Sequence, residues 1–235
     1  MLKDKEIQLG ALEFLKTNKK KIVEDYIKKS NVEPVTNPIT FFMAGAPGAG
    51  KTEFAKTLIS LLGKPFVRID ADEIRYALPS YDGKNSDLVQ SACNLGVEKL
   101  YDFVLQKKYN CIMDSTFCNY DKQVSNIKRT LRRRRMVGIF FIYQNPVIAW
   151  DFTKKREKIE GRRVPKEAFI EKYFNSIETT NKIKEYFKDN VLLYFVEKNI
   201  DNTAKTFKIN IDKVDIFIKN KYDIMSLDKV LRNVV

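Results

Sequence analysis

The chain has 235 residues, 44% hydrophobic and 31% charged, with no histidine and a formal net charge of +13. Those proportions describe a soluble globular protein able to bury a sizeable core, and no apolar run is long enough to span a bilayer. Without histidine, histidine-based hydrolase chemistry is excluded, and proton transfer falls to a carboxylate, a lysine, a tyrosine or water. Residues Met1 to Glu6 lack the apolar core of a secretion signal, so a cytoplasmic protein with no membrane partner is expected. Cys93, Cys111 and Cys118 are odd in number and widely spaced, and they read as reduced thiols rather than a disulfide framework or a zinc site. The positive charge suits nucleic acid, anionic surfaces or a cleft for polyanionic ligands alike, although lysines spread along the whole chain favour a generally solvated surface.

Apolar residues at helical spacing, Leu12, Leu15, Ile22, Tyr26 and Ile27, are interrupted by the polar stretch Thr17 to Lys21 and predict two short helices. Pro34 and Pro38 mark residues 31 to 38 as an extended linker. Residues 1 to 36 are thus expected to form an N-terminal helical extension and residues 37 to 235 the main domain. Ile39 to Ala44 predicts the first strand, and Gly45-Ala46-Pro47-Gly48-Ala49-Gly50-Lys51-Thr52 leads from it into a helix striped by Phe54, Leu58, Leu61 and Leu62. Gly63 and Pro65 end that helix.

Phe66 to Ile69 predicts the second strand, which delivers Asp70, Asp72 and Glu73 at its carboxyl end; a loop then spans Pro79 to Ser86. A helix over Ser86 to Lys107 buries Leu88, Ala92, Gly96, Leu100, Phe103 and Val104 and aligns Ser91, Asn94, Glu98 and Asp102 on its other face. Tyr109 to Met113 is a short strand ending in Asp114-Ser115-Thr116; a basic helix over Tyr120 to Arg135 and a buried strand over Met136 to Tyr143 follow. Asn145-Pro146 starts a helix that carries Trp150 and Phe152 inward and reaches Arg156. Glu160 to Pro165 breaks the period and predicts a mobile lid near residues 156 to 165, before another helix marked by Phe169, Ile170, Phe174 and Ile177. Val191 to Val196 is a further strand, and beyond it Thr206 to Ile211 and the apolar residues Val214 to Ile218 read as an edge hairpin plus terminal helices. Strands alternating with helices predict an α/β, three-layer P-loop NTPase fold, with a mostly parallel five- to six-stranded sheet and helices on both faces.

The glycine-rich segment carries the chemistry. Between a strand and a helix, Gly45, Gly48 and Gly50 let the backbone curl so that successive N–H groups point at phosphates. Residues Gly45 to Glu53 are therefore the expected ATP-binding segment, with Lys51 as a mobile cation and the Thr52 hydroxyl as a Mg²⁺ ligand. Phosphoryl transfer further requires a base and neutralising cations. Asp72 is placed to take a proton from an acceptor hydroxyl, or else to cap the short helix beginning at Glu73; Asp70 competes for the role of base or outer-shell Mg²⁺ partner. Arg156, Arg162 and Arg163 flank the lid, where guanidinium groups could reach the transferring phosphoryl. Glu98 and Asp114 are candidate acceptor-hydroxyl partners. The Arg132 to Arg135 run could contact nucleic acid, yet it closes a helix, where cations suit the dipole, and it lacks interleaved aromatics.

Taken in order, the glycine-rich loop, Ile69-Asp70-Ala71-Asp72-Glu73-Ile74-Arg75, Met113-Asp114-Ser115-Thr116 and Gly161-Arg162-Arg163-Val164-Pro165 resemble the zeta toxin kinases over about residues 10 to 200. The resemblance implies transfer of the γ-phosphate of ATP to a hydroxyl of a nucleotide sugar, the best known acceptor being the 3′-hydroxyl of UDP-N-acetylglucosamine, and it brings a possible antitoxin partner. It aligns the base with Asp72, the lid arginines with Arg156 and Arg162, and the acceptor-binding residues with Glu98, Asp114 and the adjoining Thr116. Asp114 is one methylene shorter than the glutamate of wall-targeting members, and Thr116 to Asn119 departs from their glycine-threonine pattern, which leaves the acceptor open to a different sugar, nucleoside or other hydroxyl compound. A polynucleotide or RNA kinase and a nucleotide-gated binding module are the alternative readings.

Overall fold

The computed structural model describes residues 2–161, 163–201 and 203–232. At its centre is a six-stranded sheet formed by β1 (Ile39–Ala44), β2 (Val67–Asp70), β3 (Cys111–Asp114), β4 (Met136–Tyr143), β5 (Leu192–Lys198) and β6 (Ala204–Lys208). The spatial order is β2-β3-β1-β4-β5-β6. The first five strands are mutually parallel and β6 returns antiparallel to β5; this edge strand begins two residues before the expected Thr206 and stops at Lys208. Because the parallel strands share a direction, Ala44, Asp70, Asp114 and Tyr143 all end at one edge of the sheet, where ligands of such folds collect.

Both faces of the sheet are covered, so the strands read as nearly continuous apolar runs rather than alternating ones. Phe42, Ile69, Met113, Ile139, Phe141 and Phe195 belong to the larger core. Phe41, Met43, Ile112, Phe140 and Ile142 point the other way and pack with Ala55, Phe54, Leu58 and Ile59 of α2 (Lys51–Leu62). The expected α2 stripe is corrected at its end: Leu61 and Leu62 are exposed, and Ala55 and Ile59 take the inward places, because the final turn before the Gly63 cap is left uncovered.

The remaining helices are α1 (Leu2–Ser30), α3 (Ala71–Tyr76), α4 (Gln90–Gln106), α5 (Tyr120–Arg132), α6 (Pro146–Glu160), α7 (Lys166–Phe187) and α8 (Ile224–Leu231). The expected break at Thr17 to Lys21 is absent, and α1 is a single helix. Lysines are good helix formers, and tertiary burial of Ala11, Leu15 and Val23 along one side carries the helix through the polar stretch. At Gly96 of α4 an added Cβ would stand 2.7 Å from Ile74 Cγ2 and 3.1 Å from Leu15 Cδ1, so glycine is what lets α1, α3 and α4 meet closely. Helix α4 begins four residues later than expected, after the loop that holds Tyr81 and the Asp82 turn.

The arginine run does not form one exposed patch. Arg133 caps α5 and Arg134 adopts a positive φ of 54°. Arg135 turns inward and is 3% exposed. It donates to Thr40 Oγ1 at 2.8 Å, to Ile39 O at 3.0 Å and to Tyr109 O, stitching the amino ends of β1 and β3 on the side opposite the glycine-rich loop. Cys93, Cys111 and Cys118 are free thiols. Among the described residues no helix is long and apolar enough to cross a membrane.

Candidate active site

The loop after β1 needs its glycines for specific reasons. Gly45 has φ 131° and a Cβ there would lie 2.2 Å from Ile142 O; Gly48 has φ 72° and its Cβ would lie 2.1 Å from Ala149 O. Gly50 caps α2 in the left-handed conformation, and Ala46 and Ala49 are buried beneath the loop. Gly45 N donates to Thr116 O at 3.3 Å, which ties the loop to the segment after β3. The unpaired N–H groups of the first α2 turn thus open onto the carboxyl edge of the sheet, the geometry that binds phosphate.

Lys51 folds back and donates from Nζ to Ala46 O at 2.6 Å. Although part of the residue reaches solvent, its ammonium is sunk among protein atoms, and this desolvation pulls its pKa down to about 8. The nearby Asp114 carboxylate opposes the shift and Arg156 adds to it. Thr52 Oγ1 donates to Asp114 Oδ2 at 2.8 Å, joining a hydroxyl of the loop to a carboxylate at the end of β3.

Asp70, Asp72 and Glu73 converge at the end of β2. The side chain of Asp70 accepts from Asp72 N at 2.9 Å, so Asp70 is the cap of α3. Asp72 belongs to the first turn of α3, which corrects the alternative that made it the cap of a helix starting at Glu73. Arg68 donates to Asp70 Oδ2 at 2.6 Å and Asp114 Oδ2 at 2.9 Å and also pairs with Glu73. Burial, and secondarily the charges of Asp114 and Asp72, raise the pKa of Asp70 above the usual carboxylate range.

Asp72 lies between two guanidinium groups. Arg75, only 2% exposed, pairs with Asp72 Oδ1 and donates to Gln90 Oε1 at 2.9 Å, while Arg156 Nη2 stands 3.8 Å from Asp72 Oδ2. Thr52, Asp70, Asp72, Glu73, Tyr76, Tyr81 and Arg156 line one open cleft of about 570 Å³ beside the loop. Arg156 is carried by α6, whose first turn is set by Asn145 accepting from Val147 N at 2.9 Å and by Pro146 at the helix start.

The other expected positions lie as follows. Asp114 is engaged by Thr52 and Arg68, and Thr116 offers its carbonyl to the loop. Glu98 is held by Arg129 at 2.7 Å and Lys122 at 3.7 Å, both from α5, and is not among the residues lining the cleft. Glu53 is exposed in the first turn of α2. Arg162 lies outside the described residues, and Arg163 is exposed in the segment between α6 and α7. Sequence reasoning gave no role to Arg68, Arg75, Tyr76 or Tyr81. Two of these carried a signal: Arg68 shares a strand face with Asp70 by the two-residue period, and Arg75 follows Asp72 by one helical turn.

A strand, a glycine-rich phosphate loop and a helix within a parallel α/β sheet define a P-loop nucleotide-binding protein. The zeta toxin family model matches residues 23–213, and the chain belongs to that family. In structure it is similar to a chain from the PezAT chromosomal toxin-antitoxin system of Streptococcus pneumoniae, with TM-score 0.68 and 17% identity, covering 93% of this chain and 87% of that one. It is also similar in fold to a chain of the AvrRxo1-ORF1:-ORF2 complex with ATP, with TM-score 0.61 and 12% identity, covering 96% of this chain and 71% of the other. Among curated proteins, the ATP-dependent protease ATPase subunit HslU of Thermosipho africanus is 28% identical over 151 residues, 61% of this chain and 32% of its own length. The HslU of Borreliella burgdorferi is 29% identical over 106 residues, 41% of this chain and 24% of its own length, so the chain spans a third or less of both of these relatives.

Proposed function

We propose that this protein is an ATP-dependent phosphotransferase that moves the γ-phosphate to a hydroxyl of a small molecule, a nucleotide sugar such as UDP-N-acetylglucosamine being the leading acceptor class. The observation that carries this reading is the single cleft in which Asp72, Thr52 and Arg156 meet beside the phosphate loop. The ATP-bound structural neighbour and the ATP-dependent curated relatives support ATP as the nucleotide.

In this reading the backbone N–H groups of Gly48 to Thr52 receive the β- and γ-phosphates, and Lys51 leaves Ala46 O to bind them. The joined Thr52 hydroxyl and Asp114 carboxylate suit Mg²⁺, which takes few protein ligands and shares the rest of its shell with phosphates. When bound, Mg²⁺ neutralises charge on the phosphate oxygens. We accordingly move Asp114 from acceptor binding to the metal side of the loop. Asp72 takes the proton of the acceptor hydroxyl, and Arg75 fixes the orientation of its carboxylate. Arg156 turns from Asp72 toward the transferring phosphoryl, with Arg162 as the second lid arginine of the proposal. Asp70 is committed to capping α3 and to Arg68, whereas Asp72 faces Arg156 across the cleft at 3.8 Å, which favours Asp72 over Asp70 as base. Glu98 and Thr116 remain the proposed outer acceptor contacts.

A protein antitoxin is the proposed macromolecular partner, motivated by the toxin-antitoxin system of the structural neighbour. The burial of Arg135 disfavours the alternative of a polynucleotide kinase. The deciding experiment gives the purified protein γ-labelled ATP, Mg²⁺ and a metabolite extract, with nucleotide sugars tried first, and identifies by mass what gains a phosphate. A phosphorylated small hydroxyl compound supports the proposal. Label found only on oligonucleotide ends, or ATP bound with no phosphorylated product, overturns it.

A further inference from the structure

Strand β2 is an edge of the sheet, so every second residue presents its N–H and C=O to the outside, where no strand pairs with them. At the end that carries the acidic cluster, a single side chain answers two of these groups. The hydroxyl of Tyr26, on α1, donates to Arg68 O at 2.6 Å and accepts from Asp70 N at 3.3 Å. Burial, and then the charge of Glu73, raise the phenol pKa far above its ordinary value, so the proton needed for the bond to Arg68 O stays in place. The ring itself lines an apolar groove between α1 and α4 with Leu15, Ile22, Ile74 and Leu100, and Ile74 belongs to the same short helix as Asp72.

The two residues bracketed by this hydroxyl control the rest of the cluster. Arg68 holds Asp70, Glu73 and Asp114. Asp70 caps α3 by accepting from Asp72 N. A displacement of the β2 end therefore reaches Asp72 through the hydrogen bond between its N–H and the Asp70 side chain.

We propose that Tyr26 is a positioning residue, and that α1 acts as a strut that holds the end of β2 and the α3 cap in the geometry Asp72 requires. The proposal rests on the reading of Asp72 as the base. It gives the N-terminal helix an indirect part in the reaction, since Tyr26 touches no reacting atom.

The test compares the full-length protein with Tyr26→Phe, which keeps the ring in its groove and removes only the hydroxyl. Tyr101→Phe serves as a control, since it deletes another buried hydroxyl, the one bonded to Thr130, away from the cleft. Two quantities are read: residue-resolved amide exchange, and MgATP turnover to water at saturating ATP, which needs no knowledge of the acceptor. For Tyr26→Phe, exchange at Asp70 and Asp72 is expected to rise by about tenfold and turnover to fall by about as much, the size of one hydrogen bond left unmade. The KM for ATP stays within about twofold because the phosphate loop is untouched. Tyr101→Phe is expected to lower the melting temperature without either local change. Unaltered exchange at Asp70 and Asp72, or a rise spread evenly over α1 and the sheet together with a parallel loss of ATP affinity, overturns the strut. A wild-type protein that phosphorylates no small molecule when given the metabolite extract, while its Tyr26→Phe variant still loosens Asp70 and Asp72, leaves the strut standing and overturns the phosphotransferase reading instead.

Discussion

Asp72 Oδ2 stands 3.8 Å from Arg156 Nη2 while Asp72 Oδ1 is held by the buried Arg75. One guanidinium is 2% exposed; the other has half its side chain in solvent. In the proposed reaction the pair separates two tasks, orientation of the base and delivery of a cation to the phosphoryl group. Asp72→Asn keeps the shape and hydrogen-bonding capacity of the side chain and removes its basicity. Acceptor phosphorylation should fall by about a hundredfold or more, with the dissociation constant for ATP nearly unchanged. Asp70→Ala should behave differently: loss of the α3 cap costs about 1 kcal/mol and lowers the melting temperature. Steady-state kinetics beside calorimetric titration of ATP separates the two, and near-normal turnover by Asp72→Asn would hand the role of base to Asp70.

Lys51 gives a pH dependence with a definite sign. Its pKa in the nucleotide-free protein is about 8, lowered chiefly by burial. Triphosphate favours the charged ammonium and raises that pKa, so binding takes up a proton only in the window above about 8. ATP affinity should be flat below that pH and decline above it, with proton uptake visible as a buffer-dependent binding enthalpy. For the same reason Lys51→Met should weaken ATP binding while raising the melting temperature of the free protein by a few degrees, since it removes a charge that burial penalises. A melting temperature that falls in Lys51→Met would mean that the bond to Ala46 O outweighs the desolvation.

Features written locally in the chain were legible before any coordinates. The loop from Gly45 to Thr52, the strand Met136–Tyr143 and the cap at Asn145-Pro146 depend on neighbours within a few residues. What escaped depends on partners far apart in sequence. The continuity of α1 follows from burial of Leu15 and Val23 against α4 and the core, which no helical period in residues 2 to 30 can announce. The link from Tyr26 to Arg68 spans 42 residues, and that from Arg68 to Asp114 spans 46. Asp114 is visible as a carboxylate at a strand end, but its approach to Thr52 depends on the pairing of β1 with β3, which brings the loop after β1 beside it.

Tyr76 and Tyr81 bear on which acceptor is used. Their rings stand edge to face at 5.5 Å on the wall of the cleft, and Arg75 sits over Tyr81 at 5.9 Å. Tyr76 keeps 69% of its surface exposed, so its ring is open to a ligand in the cleft. Tyr76→Ala should raise the KM for an acceptor with a flat ring by about fivefold and leave the KM for ATP alone, because stacking contributes about 1 kcal/mol. Measuring both constants for Tyr76→Ala and Tyr76→Phe checks this. Equal KM values for wild type and Tyr76→Ala would remove the ring from acceptor recognition.

Arg135 separates architecture from nucleic-acid binding within one run of arginines. It is buried and held by neutral acceptors on β1 and the segment before β3, whereas Arg132, Arg133 and Arg134 are exposed. Arg135→Met strands the carbonyls of Ile39 and Tyr109 and should cost about 2 kcal/mol or more, read as a lower midpoint in urea. Replacing Arg132, Arg133 and Arg134 together by alanine should leave that midpoint nearly unchanged, since surface substitutions of this kind stay within about 0.5 kcal/mol. If the run were a nucleic-acid contact, the triple variant would instead lose salt-dependent retention of an oligonucleotide while folding normally. The burial of Arg135 predicts that neither variant changes retention, because the run closes a helix and pins the amino edge of the sheet, far from the loop where phosphate is handled.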